Sequence, residues 1–279
     1  MQWLGRREST NVDDRRGIGG GGIAAGGGIL GVIFLLAKFL LGGGDTSDLQ
    51  QVFPQGQQPE MTTEQKAAED DRAKFVKVVL ADTEDVWDKI FGDMNKQYTK
   101  PTLVLFSRGT QSGCGGASSQ TGPFYCPTDQ KVYIDLSFAE ELKTRFGAGG
   151  DFPLAYVVAH EVGHHIQNLL GLAGKMQRLQ SQVGETEYNK YSVKMELQAD
   201  FYAGVWAHYD QKMKNVIEPK DIEEALNAAA AIGDDRITQG RVSPDAFTHG
   251  TSAQRMYWFK KGYETGDIKQ GNTFEGTDL

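Results

Sequence analysis

Two of the five histidines in this 279-residue chain stand four apart in the run Val157-Val158-Ala159-His160-Glu161-Val162-Gly163-His164-His165-Ile166. On a helix, residues i and i+4 share a face about 5–6 Å apart, so His160 and His164 can hold one ion between them. Zn²⁺ takes neutral imidazole nitrogens, and a catalytic zinc has three protein ligands with a fourth position left for water. Glu161 lies about 100° further round the helix. There it stands beside the histidine pair and can take a proton from that water. The competing reading is a core helix with hydrogen-bonded histidines, but the H-E-x-x-H pattern within an apolar helix favours zinc.

A third ligand is supplied by Met195-Glu196-Leu197-Gln198-Ala199-Asp200-Phe201. Glu196 and Asp200 are again one turn apart, and an ionised carboxylate among such apolar neighbours is costly unless paired or bound to metal. His160, His164 and Glu196 then form a His₂Glu set for one Zn²⁺. Asp200 would accept the N–H of a ligating histidine and hold its tautomer. The chemistry that follows is peptide hydrolysis by a zinc-activated water, with Glu161 as general base passing the proton on to the leaving amine. The substrate would be a peptide or an unfolded protein. A zinc-stabilised interaction domain without turnover is the alternative, and it gives Glu161 no task.

The elements that must position these groups come from the rest of the chain. A net charge of −8, with no basic stripe, excludes a nucleic-acid partner. Residues 1–16 read as a short polar arm, and residues 17–41 as a membrane-spanning anchor, uncharged from Gly17 to Ala37. Arginines precede that run and aspartates follow it. The arm is therefore expected in the cytoplasm and the domain in the periplasm of a bacterial inner-membrane protein. A cleaved signal peptide is the alternative, although no small-x-small site follows the apolar stretch. Residues 42–61 are a Gly/Gln/Pro-rich linker, 62–264 the zinc domain, and 265–279 a loose tail.

Within the domain, Thr62 or Thr63 can cap a long helix with Phe75, Val76, Val79, Leu80, Val86, Trp87, Ile90 and Phe91 at helical spacing. Residues 101–106 and 131–136 read as strands. Cys114 and Cys126 bracket the loop between them, either as one loop-closing disulfide or as two free thiols. Helices are expected over 137–146, around the histidines to about 171, over 185–208, from an Asp221 cap to about 238, and from a Ser252 cap to 262. Asp234-Asp235-Arg236 reads as a solvated or paired helix end. The fold class expected is α+β, predominantly helical, with a small sheet beside the active-site helix and one N-terminal transmembrane helix.

The chain also resembles the bacterial membrane-anchored neutral zinc metallopeptidases of the gluzincin group of zincins. The likeness rests on Tyr125-Cys126-Pro127 leading into Val132-Tyr133-Ile134-Asp135, on His160-Glu161-Val162-Gly163-His164-His165, on Glu196-Leu197-Gln198-Ala199-Asp200, and on His249-Gly250-Thr251-Ser252-Ala253-Gln254-Arg255. It implies His160, His164 and Glu196 as zinc ligands, Glu161 as catalytic residue, and a zincin-like fold. In zincins generally the strand before the active-site helix pairs with extended peptide, which makes residues 132–135 the candidate. Related gluzincins carry a late histidine ahead of an arginine-bearing helix. By that likeness His249 would donate to the tetrahedral oxyanion with Arg255 supporting it, although a histidine in this place serves as readily as a structural group. His165 and His208 read as structural.

Overall fold

The computed structural model describes residues 1–16 and 62–275. Its first long element is α1, Thr63–Asp93, begun by a capping box in which the Thr62 side chain accepts from the Gln65 N–H. The eight apolar residues expected to form its core face are all buried. The strands are β1 (Val12–Asp14), β2 (Thr102–Phe106), β3 (Gly109–Ser112), β4 (Gly115–Ser118), β5 (Phe124–Cys126) and β6 (Lys131–Asp135). The helices after them are α2 (Phe138–Thr144), α3 (Phe152–Leu169), α4 (Leu172–Gln180), α5 (Glu185–Lys214), α6 (Pro219–Ala231), α7 (Asp234–Ile237) and α8 (Ser252–Thr265).

One sheet has the order β1-β2-β6-β5, with β1, β2 and β6 parallel and β5 antiparallel to β6. The hairpin β3–β4 makes a second, two-stranded sheet. Leu103 and Leu105 of β2 and Val132 and Ile134 of β6 alternate onto the main core, which they share with α1, α3, α5 and α8. Their other face carries Val104, Phe106 and Tyr133, packed with Cys126 in a smaller cluster. A predominantly helical α+β fold with a small sheet is what the sequence leads one to expect.

Three helical contacts are close enough to need glycine. A Cβ on Gly163 of α3 would stand 2.9 Å from the Ala199 carbonyl oxygen of α5. Where α5 crosses α8, a Cβ on Gly204 would meet the Phe259 carbonyl oxygen at 2.1 Å, and one on Gly262 the Phe201 carbonyl oxygen at 2.1 Å. These approaches bring the carboxylates of α5 against the histidines of α3 on one side and Arg255 of α8 on the other.

The spanning helix is the part of the expected fold that does not stand. Among the described residues no helix is long and apolar enough to cross a membrane, and residues 17–41, with the linker 42–61, lie outside them. The observation that overturns the anchor is β1. Residues 12–14 pair with Leu103–Leu105 in the domain's own sheet, whereas a single crossing between residues 16 and 62 would leave arm and domain on opposite sides. Nor is residues 1–16 a loose arm. Trp3 packs edge-on against Phe75 at 5.5 Å, the Ser9 hydroxyl and Asn11 amide donate to the buried Glu84, and Arg6 pairs with Asp82.

Smaller differences have local causes. Glu218, not Asp221, caps α6, because Pro219 takes the first turn and Asp221 closes the capping box from N3. Thr251, not Ser252, caps α8, with its hydroxyl accepting from the Gln254 N–H. The tail is docked as far as Thr273. Thr273 is 1% exposed, and its hydroxyl donates to the Lys194 carbonyl of α5.

Candidate metal centre and catalytic cleft

Helix α3 starts with Pro153 in its first turn and is buried along nearly its whole length, so the polar groups it carries must find partners inside the molecule. His160 and His164 turn toward α5 and meet Glu196. His160 Nε2 lies 3.2 Å from Glu196 Oε2, and His164 Nε2 lies 3.4 Å from Glu196 Oε1. One donor atom from each of the three residues falls within 4.8 Å of the others. Ligands at ~2.0–2.1 Å from a tetrahedral zinc lie about 3.3 Å from one another. The donor set and its spacing therefore fit Zn²⁺.

Each histidine has a partner that fixes which nitrogen faces Glu196. His160 donates from Nδ1 to Asp200 Oδ1 at 2.8 Å, so the neutral ring carries its lone pair on Nε2. Asp200 also accepts from the Tyr156 hydroxyl and from Arg255, through Nε to Oδ2 at 2.8 Å and Nη2 to Oδ1 at 3.0 Å. Arg255 thus acts on Asp200; supporting His249 is not its place in this geometry. On His164 the partner is Gln167, whose Oε1 lies 2.9 Å from Nδ1.

Electrostatics follow from this burial. Burial opposes a charge on His160, but the Asp200 and Glu196 carboxylates outweigh it and push its pKa up to about 10. Burial likewise opposes ionisation of Asp200, yet the charges of Arg255 and His160 bring it down to about 2. Glu196 is held well below the usual carboxylate range by the two imidazoles against its own desolvation. Protons and a metal thus compete for the same lone pairs, and metal binding would release protons.

The cluster forms the floor of a cleft of about 610 Å³ that is also lined by Glu161, Tyr125, Phe146, Ile237 and His249. His249 is held from behind by Asp234. The Oδ2 of Asp234 accepts the backbone N–H of Thr248, His249 and Gly250 at 2.8, 2.7 and 3.0 Å, and its Oδ1 lies 3.3 Å from His249 Nδ1. Burial opposes a charge on His249, but its bond to Asp234 prevails and raises its pKa. Asp234, read from sequence as a helix end, is therefore the residue that shapes this loop. Nothing local in the sequence marks it, since its partners lie about fifteen residues on.

Strand β6, expected to pair with peptide, is interior to the sheet. The sheet edge at the cleft is β5, whose Phe124 and Tyr125 line it. Cys114 and Cys126 form a disulfide, and the loop it closes contains the cleft-lining residues 119–125. His165 turns away from the cluster, donating from Nε2 to the Thr99 carbonyl and accepting at Nδ1 from the Tyr125 hydroxyl, which in turn accepts from Asn168. That chain fastens β5 to α3. His208 donates to the Tyr263 carbonyl and is remote from the cleft.

Comparison with known proteins agrees with this site. Residues 1–274 match the model of a family described as "Putative neutral zinc metallopeptidase". The chain belongs to this family. It is 50% identical over 285 residues to the uncharacterised protein YpfJ of Escherichia coli (strain K12), covering 98% of this chain and 99% of that one. It is 46% identical over 223 residues to an uncharacterised protein of Mycobacterium tuberculosis (strain ATCC 25618 / H37Rv), covering 75% of this chain and 74% of the relative. No solved structure matches the chain. Membership of the family carries zinc and peptide hydrolysis at the level of its description, and it extends over the N-terminal strand as well as the helical domain.

Proposed function

We propose that the protein is a zinc-dependent endopeptidase that cleaves extended or unfolded polypeptide. The observation that carries this reading is the convergence of His160, His164 and Glu196 on one point of a cleft that Glu161 also lines. Zinc, when bound by these three residues, supplies a Lewis acid that acidifies water and polarises a carbonyl. Glu161 takes the proton of the attacking water and delivers it to the departing amine, so that its carboxylate is regenerated each turnover. His249, held by Asp234, donates to the oxygen that gains charge during attack. The edge of β5 pairs with the peptide backbone, and the Tyr125–His165 bond keeps that edge at a fixed height above α3. Asp200 and Arg255 act through His160 and touch no substrate. The disulfide supports an oxidising, extracytoplasmic setting.

The test is the zinc content of the full chain together with cleavage of casein, for the unaltered protein and for Glu161→Gln. Both forms are expected to hold about one zinc, with cleavage by the variant lower by ~10²–10⁴-fold. Zinc in both forms with no cleavage by either would replace the enzyme with a zinc-stabilised scaffold. Absence of zinc would remove the ligand assignment itself.

A further inference from the structure

Gln167 and Gln198 are amides at 0% and 5% exposure, and the proposed chemistry uses neither. Their hydrogen bonds run in one direction. Gln167 Nε2 donates to the Met195 carbonyl at 2.7 Å and to Gln198 Oε1 at 3.2 Å, and Gln198 Nε2 donates to the Gly271 carbonyl at 2.8 Å. A backbone carbonyl only accepts, so each one dictates which end of its amide is the nitrogen. With Nε2 committed to Met195, the atom that Gln167 presents to His164 Nδ1 is Oε1. An acceptor there requires the hydrogen on Nδ1, so that the neutral ring, the form that binds metal, carries its lone pair on Nε2, the nitrogen facing Glu196. The tautomer of His164 is thus fixed by two carbonyls, one on the residue beside Glu196 and one on the docked C-terminal segment.

We propose that Gln167 and Gln198 are positioning residues for the metal site, and that the C-terminal segment, through the Gly271 carbonyl, sets how tightly the site holds zinc. This rests on the assignment of His160, His164 and Glu196 as ligands. The segment touches α5 on both sides of Glu196, through Thr273 on the Lys194 carbonyl and through Gly271 on Gln198. Losing the Gly271 acceptor leaves a buried N–H of Gln198 unpaired, so that no carbonyl any longer dictates which end of that amide faces Gln167. Gln167 is then held by the Met195 carbonyl alone, and the arrangement that orients His164 loosens.

The experiment measures zinc affinity of the full chain by competition with a chromogenic chelator, and the visible spectrum of the Co²⁺-substituted protein. Four forms are compared with the unaltered chain: Gln167→Leu, Gln198→Leu, a chain ending at Gln270, and the last two combined. Gln167→Leu is expected to weaken zinc ~10–100-fold, as loss of a ligand's hydrogen-bond partner does. Gln198→Leu and the truncation should each weaken it by a smaller factor and shift the Co²⁺ bands alike, and combining them should weaken it by less than the product of the two factors, because both break the Gln198–Gly271 link while only the truncation also removes Thr273. Affinities within about twofold of the unaltered chain, or losses that multiply in the combined form, would overturn the proposal. If metal-free circular dichroism shows that the leucine variant or the truncation is unfolded, Gln198→Met takes its place, since it keeps the length of the side chain, adds no charge and loses the donor to Gly271. Failure of the ligand assignment looks different: the unaltered chain would bind no zinc, or His164→Ala would bind it as tightly.

Discussion

Asp210 stands near the end of α5 with neither carboxylate oxygen hydrogen bonded and no exposed surface. Lys214 and Arg6 approach it only to 3.5 and 3.9 Å, because both spend their short contacts on Asp82. Burial, and then the neighbouring charge of Asp82, push its pKa up to about 7, and burial raises Asp82 as well. The sign is that of an acid harder to ionise when folded: the native state holds a proton that the unfolded chain has lost above its ordinary value near 4. Stability from this group is complete below that value and falls as pH rises through about 7. Asp210→Asn should therefore melt close to the unaltered protein at pH 5 but above it at pH 8, by about 2–4 °C for each kcal/mol relieved. Melting curves at the two pH values check this, and a difference that did not grow with pH would mean that Asp210 is already ionised at pH 5.

Helix α3 works as a rail whose distance from α5 decides whether Glu196 can reach both imidazoles. Gly163, between the two histidines, is what permits that distance. Gly163→Ala should cost about 1–3 kcal/mol by overpacking, and it should weaken zinc as well, because the ligand-bearing helices are forced apart; urea midpoints and chelator competition report the two effects separately. At this scale the sequence was a good guide to what one helix arranges by itself. His160 with His164, and Glu196 with Asp200, are readable because one turn of helix sets their spacing. Gln167 was readable by the same rule, being i+3 from His164, but glutamine carries no chemical signature that prompts the search. What α8 and α7 bring to the site was not readable: Arg255 reaches Asp200 only because Gly204 and Gly262 let two helices touch, and Asp234 reaches His249 only through a turn. β5 displaced β6 as the sheet edge because strand order is a long-range property that alternating residues do not encode.

For the whole molecule, the first sixteen residues matter most. Their order is not legible in the sequence, because three residues of polar strand, Val12-Asp13-Asp14, carry no periodicity to detect. In the fold they extend the sheet and supply Ser9, Asn11 and Arg7 to Glu84, which is 1% exposed. Removing one partner of a buried charge costs ~3–5 kcal/mol, a large share of the ~5–15 kcal/mol that holds a domain together. A chain beginning at Thr62 should accordingly lose most of its cooperative unfolding transition in urea, and an unchanged midpoint would show that β1 contributes little.

Because β1 holds to β2 by backbone pairing and to α1 by side chains, its grip does not depend on being covalently continuous with them. A synthetic peptide of residues 1–16 added to the shortened chain becomes a ligand whose concentration sets the folded fraction, with a stabilisation that grows as RT ln(1 + [L]/Kd). The amount of folded protein in a sample could then be dialled by the dose of a sixteen-residue peptide, and a cell that cut the chain between the two pieces would convert a permanent strand into a dissociable one.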